Sequence, residues 1–189
     1  MKTFLLPALV VALVLPAFAA DQAKPAGKPV AATFYITEVK CSSCASSIEE
    51  SLRKLPTVTK IDDLSESTGF AVVTFDPQTV SYHQVAQAVF AAAPVHGDAY
   101  TATLKFSIEG YAKGDNAAKV DAVFAKHKDN VRVEVKNKAK GEFVLSFEPL
   151  KVAAGKKGPQ GWNLDQFIAA IQEPAPKGLG LPIQVASEK

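Results

Sequence analysis

The chain has 189 residues, with 21 Lys and Arg against 19 Asp and Glu and a formal charge of +2. A balance this even gives no support for nucleic acid or an anionic membrane surface as partner, since both call for a concentrated basic face. The length allows one domain or two small ones.

Lys2 supplies a positive start, residues 4–18 are almost wholly apolar, and Ala17-Phe18-Ala19 fits a small-residue cleavage site. Residues 1–19 therefore read as a secretory signal peptide, leaving a mature chain from Ala20 that is periplasmic or secreted. Pro7 and Pro16 interrupt a stretch shorter than the roughly 20 apolar residues of a spanning helix, so no stable membrane insertion is expected after processing. Lys2 is the only charge lost, which lowers the net charge to +1. A lipid anchor at the new terminus is disfavoured because the only cysteines, Cys41 and Cys44, lie well beyond the apolar run. The clusters Lys136, Lys138, Lys140 and Lys156, Lys157 fall on turn-like segments and read as solubilising.

Residues 20–30 carry Pro25, Gly27 and Pro29 without periodicity and read as a flexible leader, with order expected from Ala31. Thr33 to Val39, β-branched and aromatic, reads as a strand. The cysteine pair follows directly. Ala45, Ile48, Leu52 and Leu55 then recur at helical spacing until Pro56. Val58 to Ile61 and Phe70 to Phe75 read as a hairpin around the polar turn Asp62 to Gly69. Ser81 and Gln84 form a capping-box signature before a helix with Val85, Val89 and Phe90 on its apolar side. Pro94 to Asp98 ends that helix, and Tyr100 to Ile108 supplies a fourth strand. This order, βαββαβ, predicts an α+β, ferredoxin-like unit: an antiparallel sheet with two helices on one face.

The order then repeats. Asp115 caps a helix to about Lys128 with Ala117, Val120 and Phe124 on one side. Val131, Val133 and Val135 alternate, as do Phe143, Leu145 and Phe147 across the turn Lys136 to Gly141. Asn163 and Gln166 pair as a second capping box before Leu164, Phe167, Ile168 and Ile171. Leu181 to Val185 closes the unit. Two tandem units are expected, at 31–104 and 105–186. Only one clear strand, Tyr100 to Ile108, lies between them, and it can end the first and begin the second.

Cys41-Ser42-Ser43-Cys44, between a strand and a helix, turns both sulfurs toward one point because the second cysteine sits in the first helical turn. Amide N–H groups and the helix dipole at that end favour thiolate, and Lys40 acts in the same direction. Thiolate is a soft ligand suited to Cu(I), Zn(II) and related metals rather than Mg(II) or Ca(II). Two sulfurs accommodate near-linear Cu(I) or Hg(II) more readily than tetrahedral Zn(II), which usually takes four ligands.

The run Cys41-Ser-Ser-Cys-Ala-Ser-Ser-Ile-Glu-Glu-Ser-Leu-Arg-Lys-Leu-Pro and the later Ala71-Val-Val-Thr-Phe-Asp-Pro resemble the heavy-metal-associated domain family, over residues 32–106. That family includes copper chaperones, amino-terminal modules of copper-transporting ATPases and periplasmic mercury-binding proteins. The resemblance implies metal binding by Cys41 and Cys44, the family's fold for the first unit, and a metal-transporting membrane protein or other acceptor as partner. The chain departs from the family in having Glu38-Val39-Lys40 where Gly-Met-Thr is usual, with Val39 in the position of the Met packed under the loop. Family members that transfer copper often use a polar or basic side chain in the loop before the last strand. Topology brings Pro94-Val95-His96-Gly97 to that end of the sheet, so His96 is a candidate third ligand, against a solvated loop histidine. His83 and His127 read as surface residues and Trp162 as a packing residue beside a helix cap.

The function expected is an exported, non-enzymatic protein that holds a soft metal, Cu(I) first and Hg(II) or Zn(II) as alternatives. A rival is a thiol-disulfide oxidoreductase using the same cysteines in an oxidising compartment. The repeated βαββαβ order and the absence of Trp or Pro beside the pair argue against it. A structural disulfide at two-residue spacing closes too small a loop to restrain the unfolded chain. The second unit has Gly110-Tyr111-Ala112-Lys113-Gly114-Asp115 where the first has its cysteines, so it is a structural partner or a docking surface. The sequence carries no Ser-His-Asp or Cys-His catalytic arrangement and no phosphate loop.

Overall fold

The computed structural model describes residues 27–151 and 158–188. The expected signal peptide, most of the leader and the Lys156-Lys157 pair lie outside them. Among the described residues no helix is long and apolar enough to cross a membrane.

The described residues form seven strands and four helices in the order β1 (Val30–Ile36), α1 (Ser42–Arg53), β2 (Lys60–Asp62), β3 (Phe70–Phe75), α2 (Tyr82–Ala91), β4 (Ala102–Ile108), α3 (Asn116–Lys126), β5 (Val131–Asn137), β6 (Glu142–Phe147), α4 (Leu164–Gln172) and β7 (Ile183–Val185). β1 starts at the end of the expected leader, where the Gly27 N–H donates to the Asp76 carboxylate at 2.9 Å. The first four strands lie β2-β3-β1-β4, all pairs antiparallel, which is the ferredoxin-like arrangement. β4, β5, β6 and β7 reproduce it as β5-β6-β4-β7.

β4 therefore serves both units, as the last strand of one and the first of the other, and residues 104 and 105 both fall within it. One edge of β4 pairs with β6. The opposite edge is divided: Ala102 and Thr103 pair with β1, and Phe106 to Ile108 pair with β7. The alternation Ala102, Leu104, Phe106, Ile108 buries one face of β4 under helices from both halves. Phe106 packs edge-on against Phe124 of α3 and Phe167 of α4, and Ala102 lies beside Ala86 of α2. A single hydrophobic core results. Past β7 the chain crosses the opposite face of the sheet. The Glu188 N–H donates to Thr33 Oγ1 at 3.1 Å, and Tyr35 donates its hydroxyl to the Glu188 carboxylate at 2.7 Å.

The capping box of α2 forms as expected, Ser81 and Gln84 each accepting the other's backbone N–H. Asn163 accepts from the Gln166 N–H at 3.0 Å. Asp115 precedes α3 without a side-chain cap bond and pairs with Lys119 at 3.0 Å instead. Phe90 is 50% exposed rather than on the buried side of α2.

His83 is not a surface residue: it is 1% exposed. Its Nδ1 accepts the Trp162 N–H at 3.2 Å, so Nε2 carries the proton and donates to the Glu148 carbonyl at 2.6 Å. The same segment is gripped again by Gln84 Oε1, which accepts the Gln160 N–H at 3.0 Å, and by Ser81, which donates to the Gln160 carbonyl. Together these bonds latch the start of α2 to the connection between β6 and α4. His127, also expected at the surface, packs edge-on against Trp162 and Phe167. Trp162 is buried among them, as its reading as a packing residue requires.

Burial lowers the His83 pKa below its ordinary value of 6.5, against the opposing pull of the Glu148 carbonyl, and lowers that of His127 as well. A histidine held neutral in the fold binds fewer protons there than in the unfolded chain. Stability is therefore complete above about pH 6.5 and falls as pH drops below it. Thermal unfolding followed from about pH 8 down to pH 5 is expected to show this loss, and His83→Gln to flatten the part due to the latch. An unchanged pH profile in the variant would show that His83 does not couple protonation to folding.

Candidate metal centre

The site is built where the loop after β1 meets the loop before β4. Thr37 and Thr101 close its base: the Thr37 N–H donates to the Thr101 carbonyl at 3.0 Å, and their hydroxyls lie 2.7 Å apart. The chain then turns through Glu38, which adopts φ 67°, and this conformation turns Val39 into the core while Lys40 points outward. Val39 thus occupies the packed position under the loop. Lys40 pairs with Glu38, and both flank the cysteines.

Cys41 is the N-cap of α1, extended at φ −161° and ψ 166°, and its sulfur accepts the Cys44 N–H at 3.2 Å. That bond replaces the usual hydroxyl or carboxylate cap with a sulfur and satisfies one of the free amides of the helix start. One helical turn brings Cys44 Sγ to 2.9 Å from Cys41 Sγ, with both thiols free. Their exposures differ: Cys41 is half-buried and Cys44 fully buried. Two serines on the next turns tie α1 to α2, Ser47 donating to the Ala93 carbonyl at 2.8 Å and Ser51 to the Ala88 carbonyl at 2.6 Å.

His96 lies on the exposed loop between α2 and β4. Its imidazole and the two sulfurs come within 4.8 Å of one another, the one cluster of metal-ligating side chains among the described residues. Cys41, Cys44 and His96, singled out in the sequence, are thus brought together. His83 instead bonds Glu148 and Trp162, and His127 packs against Trp162 and Phe167.

Tyr100 is the residue that sequence reading leaves out of the site. Its ring is 1% exposed, and its hydroxyl accepts the Val95 N–H at 3.1 Å and hydrogen-bonds the Cys44 sulfur. It touches both loops at once, holding the backbone next to His96 and supporting a thiolate from below. A Tyr rather than a Phe at a buried position opening the strand was the signal available, because a buried hydroxyl needs a partner.

The neighbouring Cys41 sulfur is the strongest influence on Cys44 and lowers its pKa. Tyr100 and the backbone amides of Lys40 and Cys41 act in the same direction, against desolvation, which raises it. Burial and the adjacent sulfurs raise the Tyr100 phenol, keeping it a hydrogen-bond donor at neutral pH. The result is a pair of sulfurs at a helix start, one predisposed to ionise, with an imidazole within reach. Such a donor set suits a soft or borderline metal ion and not Mg(II) or Ca(II).

No family model and no curated protein matches the chain. Among solved structures it is similar to the water-soluble region of the P-type ATPase CopA from Bacillus subtilis, at 19% identity over 65% of this chain and 78% of that one, with a TM-score of 0.36. It is also similar to the N-terminal soluble domains of the same CopA, at 18% identity over 85% and 95% with a TM-score of 0.35. A third similarity is to the ZiaAN sub mutant, at 28% identity over 40% of this chain and 96% of that one, with a TM-score of 0.32. With scores this low, the fold assignment stands on strand order and register alone.

Replacing Tyr100 by Phe removes the bond it makes to Cys44 and is expected to raise the pKa of that thiol, read as a rightward shift of the ultraviolet thiolate absorbance during pH titration. A curve superimposable on the parent's would show that the hydroxyl does not act on the sulfur.

Proposed function

We propose that this protein is an exported, non-enzymatic carrier that holds one soft heavy-metal ion between Cys41 and Cys44 and passes it to an acceptor. Cu(I) is the preferred cargo, with Hg(II) and then Zn(II) as alternatives, and a metal-transporting membrane protein is the kind of acceptor that fits. The observation that carries this reading is the convergence of two thiols and one imidazole within 4.8 Å at the mouth of a ferredoxin-like unit. The resemblance of residues 32–106 to heavy-metal-associated domains supports it independently.

Two features favour a monovalent, low-coordinate ion. Only two thiolates are available, whereas a closed Zn(II) site usually has four ligands. A Cu(I) bis-thiolate also keeps one net negative charge, which Lys40 and the helix start are positioned to tolerate. An ion about 2.3 Å from each sulfur needs them roughly 3.8 Å apart in a tetrahedral arrangement and farther in a linear one. The sulfurs stand at 2.9 Å, so one must turn outward. Cys41 is the one free to do so, since Cys44 is packed into the core. Entry and exit of the ion then run through Cys41 and His96 on the exposed side.

A thiol-disulfide oxidoreductase needs its ionised sulfur exposed to attack a substrate disulfide. Here Cys44, whose pKa is lowered, is buried, so its thiolate is poorly placed for such an attack, which speaks against that role.

Competitive titration of the reduced protein with Cu(I), Hg(II) and Zn(II) tests the proposal. Cys41→Ser/Cys44→Ser is expected to weaken Cu(I) binding by at least about a thousandfold, roughly 4 kcal/mol, and His96→Ala by about threefold to tenfold. Equal affinity in the double variant would end the metal-carrier reading. Unchanged affinity and transfer rate in His96→Ala would remove His96 alone.

A further inference from the structure

β5 is an edge of the sheet, seven residues long, with no strand beyond it among the described residues. Native sheets usually shorten, bend or cover such edges because they present free N–H and C=O groups to other chains. Here the helix layer covers the start of the strand, where Val131 is buried, and stops short of its end. Val135, which points to the helix side, is 41% exposed, and a groove of about 460 Å³ runs between α3 and β5, walled by Phe124, Ala125, Val131 and Val133 together with the charged Asp121, Lys128, Arg132 and Glu148. Val131 is buried and Val133 half-buried, so exposure rises along the valine row to Val135, and the groove leaves room for further side chains beside Val131 and Val133.

What would cover it is indicated by the strand's own pattern, Val131-Arg132-Val133-Glu134-Val135, which reads as its own complement in reverse. An antiparallel pair of identical strands is related by a two-fold axis through one residue, and the choice of residue fixes which side chains face each other. Centred on Glu134, the register with fullest overlap sets Arg132 against Lys136 and Glu134 against itself. Centred on Val135, it sets Val133 against Asn137 and uses the stretch where the pairing with β6 already shifts. Centred on Val133, it sets Arg132 against Glu134 twice on the open face. On the helix face it sets Val131 against Val135 twice and Val133 against Val133. Arg132 and Glu134 are both largely exposed, in ion pairs with Glu148 and Lys136 that leave their outer sides accessible.

We infer that the chain associates with a second copy of itself through antiparallel β5–β5 pairing centred on Val133, closing the free edge of both sheets. Val135 of each copy then lies over Val131 of the other, against the groove beside Phe124. The two-fold reverses strand direction, so the two cysteine loops end on opposite ends of the joined sheet and both stay open. Five paired residues extend only about 17 Å, so the contact is small and the dimer concentration-dependent.

The test uses the whole chain in two arms. In the Cys41→Ser/Cys44→Ser background, Val133→Cys is expected to form a disulfide-linked dimer rapidly under mild oxidation, because a residue on the two-fold faces its own copy at a Cα separation of about 4.5–5.5 Å. Val135→Cys is more exposed, yet its copies stand roughly 13 Å apart in this register, and it is expected to cross-link at least tenfold more slowly. In the second arm, sedimentation from about 10 µM to 1 mM follows association without cross-linking. Arg132→Glu or Glu134→Arg alone is expected to weaken the dimer tenfold or more, and the double swap R132E/E134R to restore it, since opposite charges again face each other. A chain that stays monomeric across that range, or one in which Val135→Cys cross-links as fast as Val133→Cys, overturns the inference. An edge that takes a strand from some other protein instead would give the monomeric result.

Discussion

Everything in this structure depends on β4 having to serve two βαββαβ units with one buried face. Ala102, Leu104, Phe106 and Ile108 point to the same side, and helices from both halves of the chain cover them. A strand so used cannot shift register by one residue without turning all four side chains to solvent. Its start is therefore fixed, and Tyr100 sits two residues before it. The second half of the chain thus bears on the cysteine loop without contributing a ligand: β6 braces the far edge of β4, and Glu148 and Trp162 grip α2 through His83. The loop bearing His96 leaves the other end of that same helix.

At the site, the fold combines a rigid half with a movable one. Cys44 is buried, hydrogen-bonded by Tyr100 and set in the first turn of α1, so its sulfur has a fixed place and a lowered pKa. Cys41 and His96 stand on the exposed side. The proposed carrier role needs this division, since an ion held by buried ligands alone has no route to a partner, and one held by exposed ligands alone lacks preorganised donors. Lys40, paired with Glu38, lies beside the sulfurs as a compensating charge, and the left-handed Glu38 is the local distortion that lets Val39 pack under the loop while Lys40 stays outside.

Much of this was legible in the sequence because it is written in local signals. The run Phe70 to Phe75 alternates and forms the strand expected there, Ser81 and Gln84 cap α2 as their spacing requires, and the cysteine pair falls at the helix start. What was not legible depends on distant partners. The partners of His83 are 65 and 79 residues away, and nothing near it marks it as buried. Asp115 looks like a cap, but the competing ion pair with Lys119 uses its carboxylate. Tyr100 matches a strand pattern whether or not its hydroxyl does anything, and only the fold shows what that hydroxyl meets. The shared strand was hinted at by there being one strand where two tandem units need two.

The central claim is that one metal ion enters at the junction of these two loops. Backbone amide NMR spectra of the reduced chain during stepwise addition of Cu(I) test it most directly. The account expects shifts confined to residues 38–45 and 94–101, complete at one equivalent, with the β5 and α4 resonances unmoved. Shifts centred elsewhere, or none around Cys41 and Cys44, would contradict it.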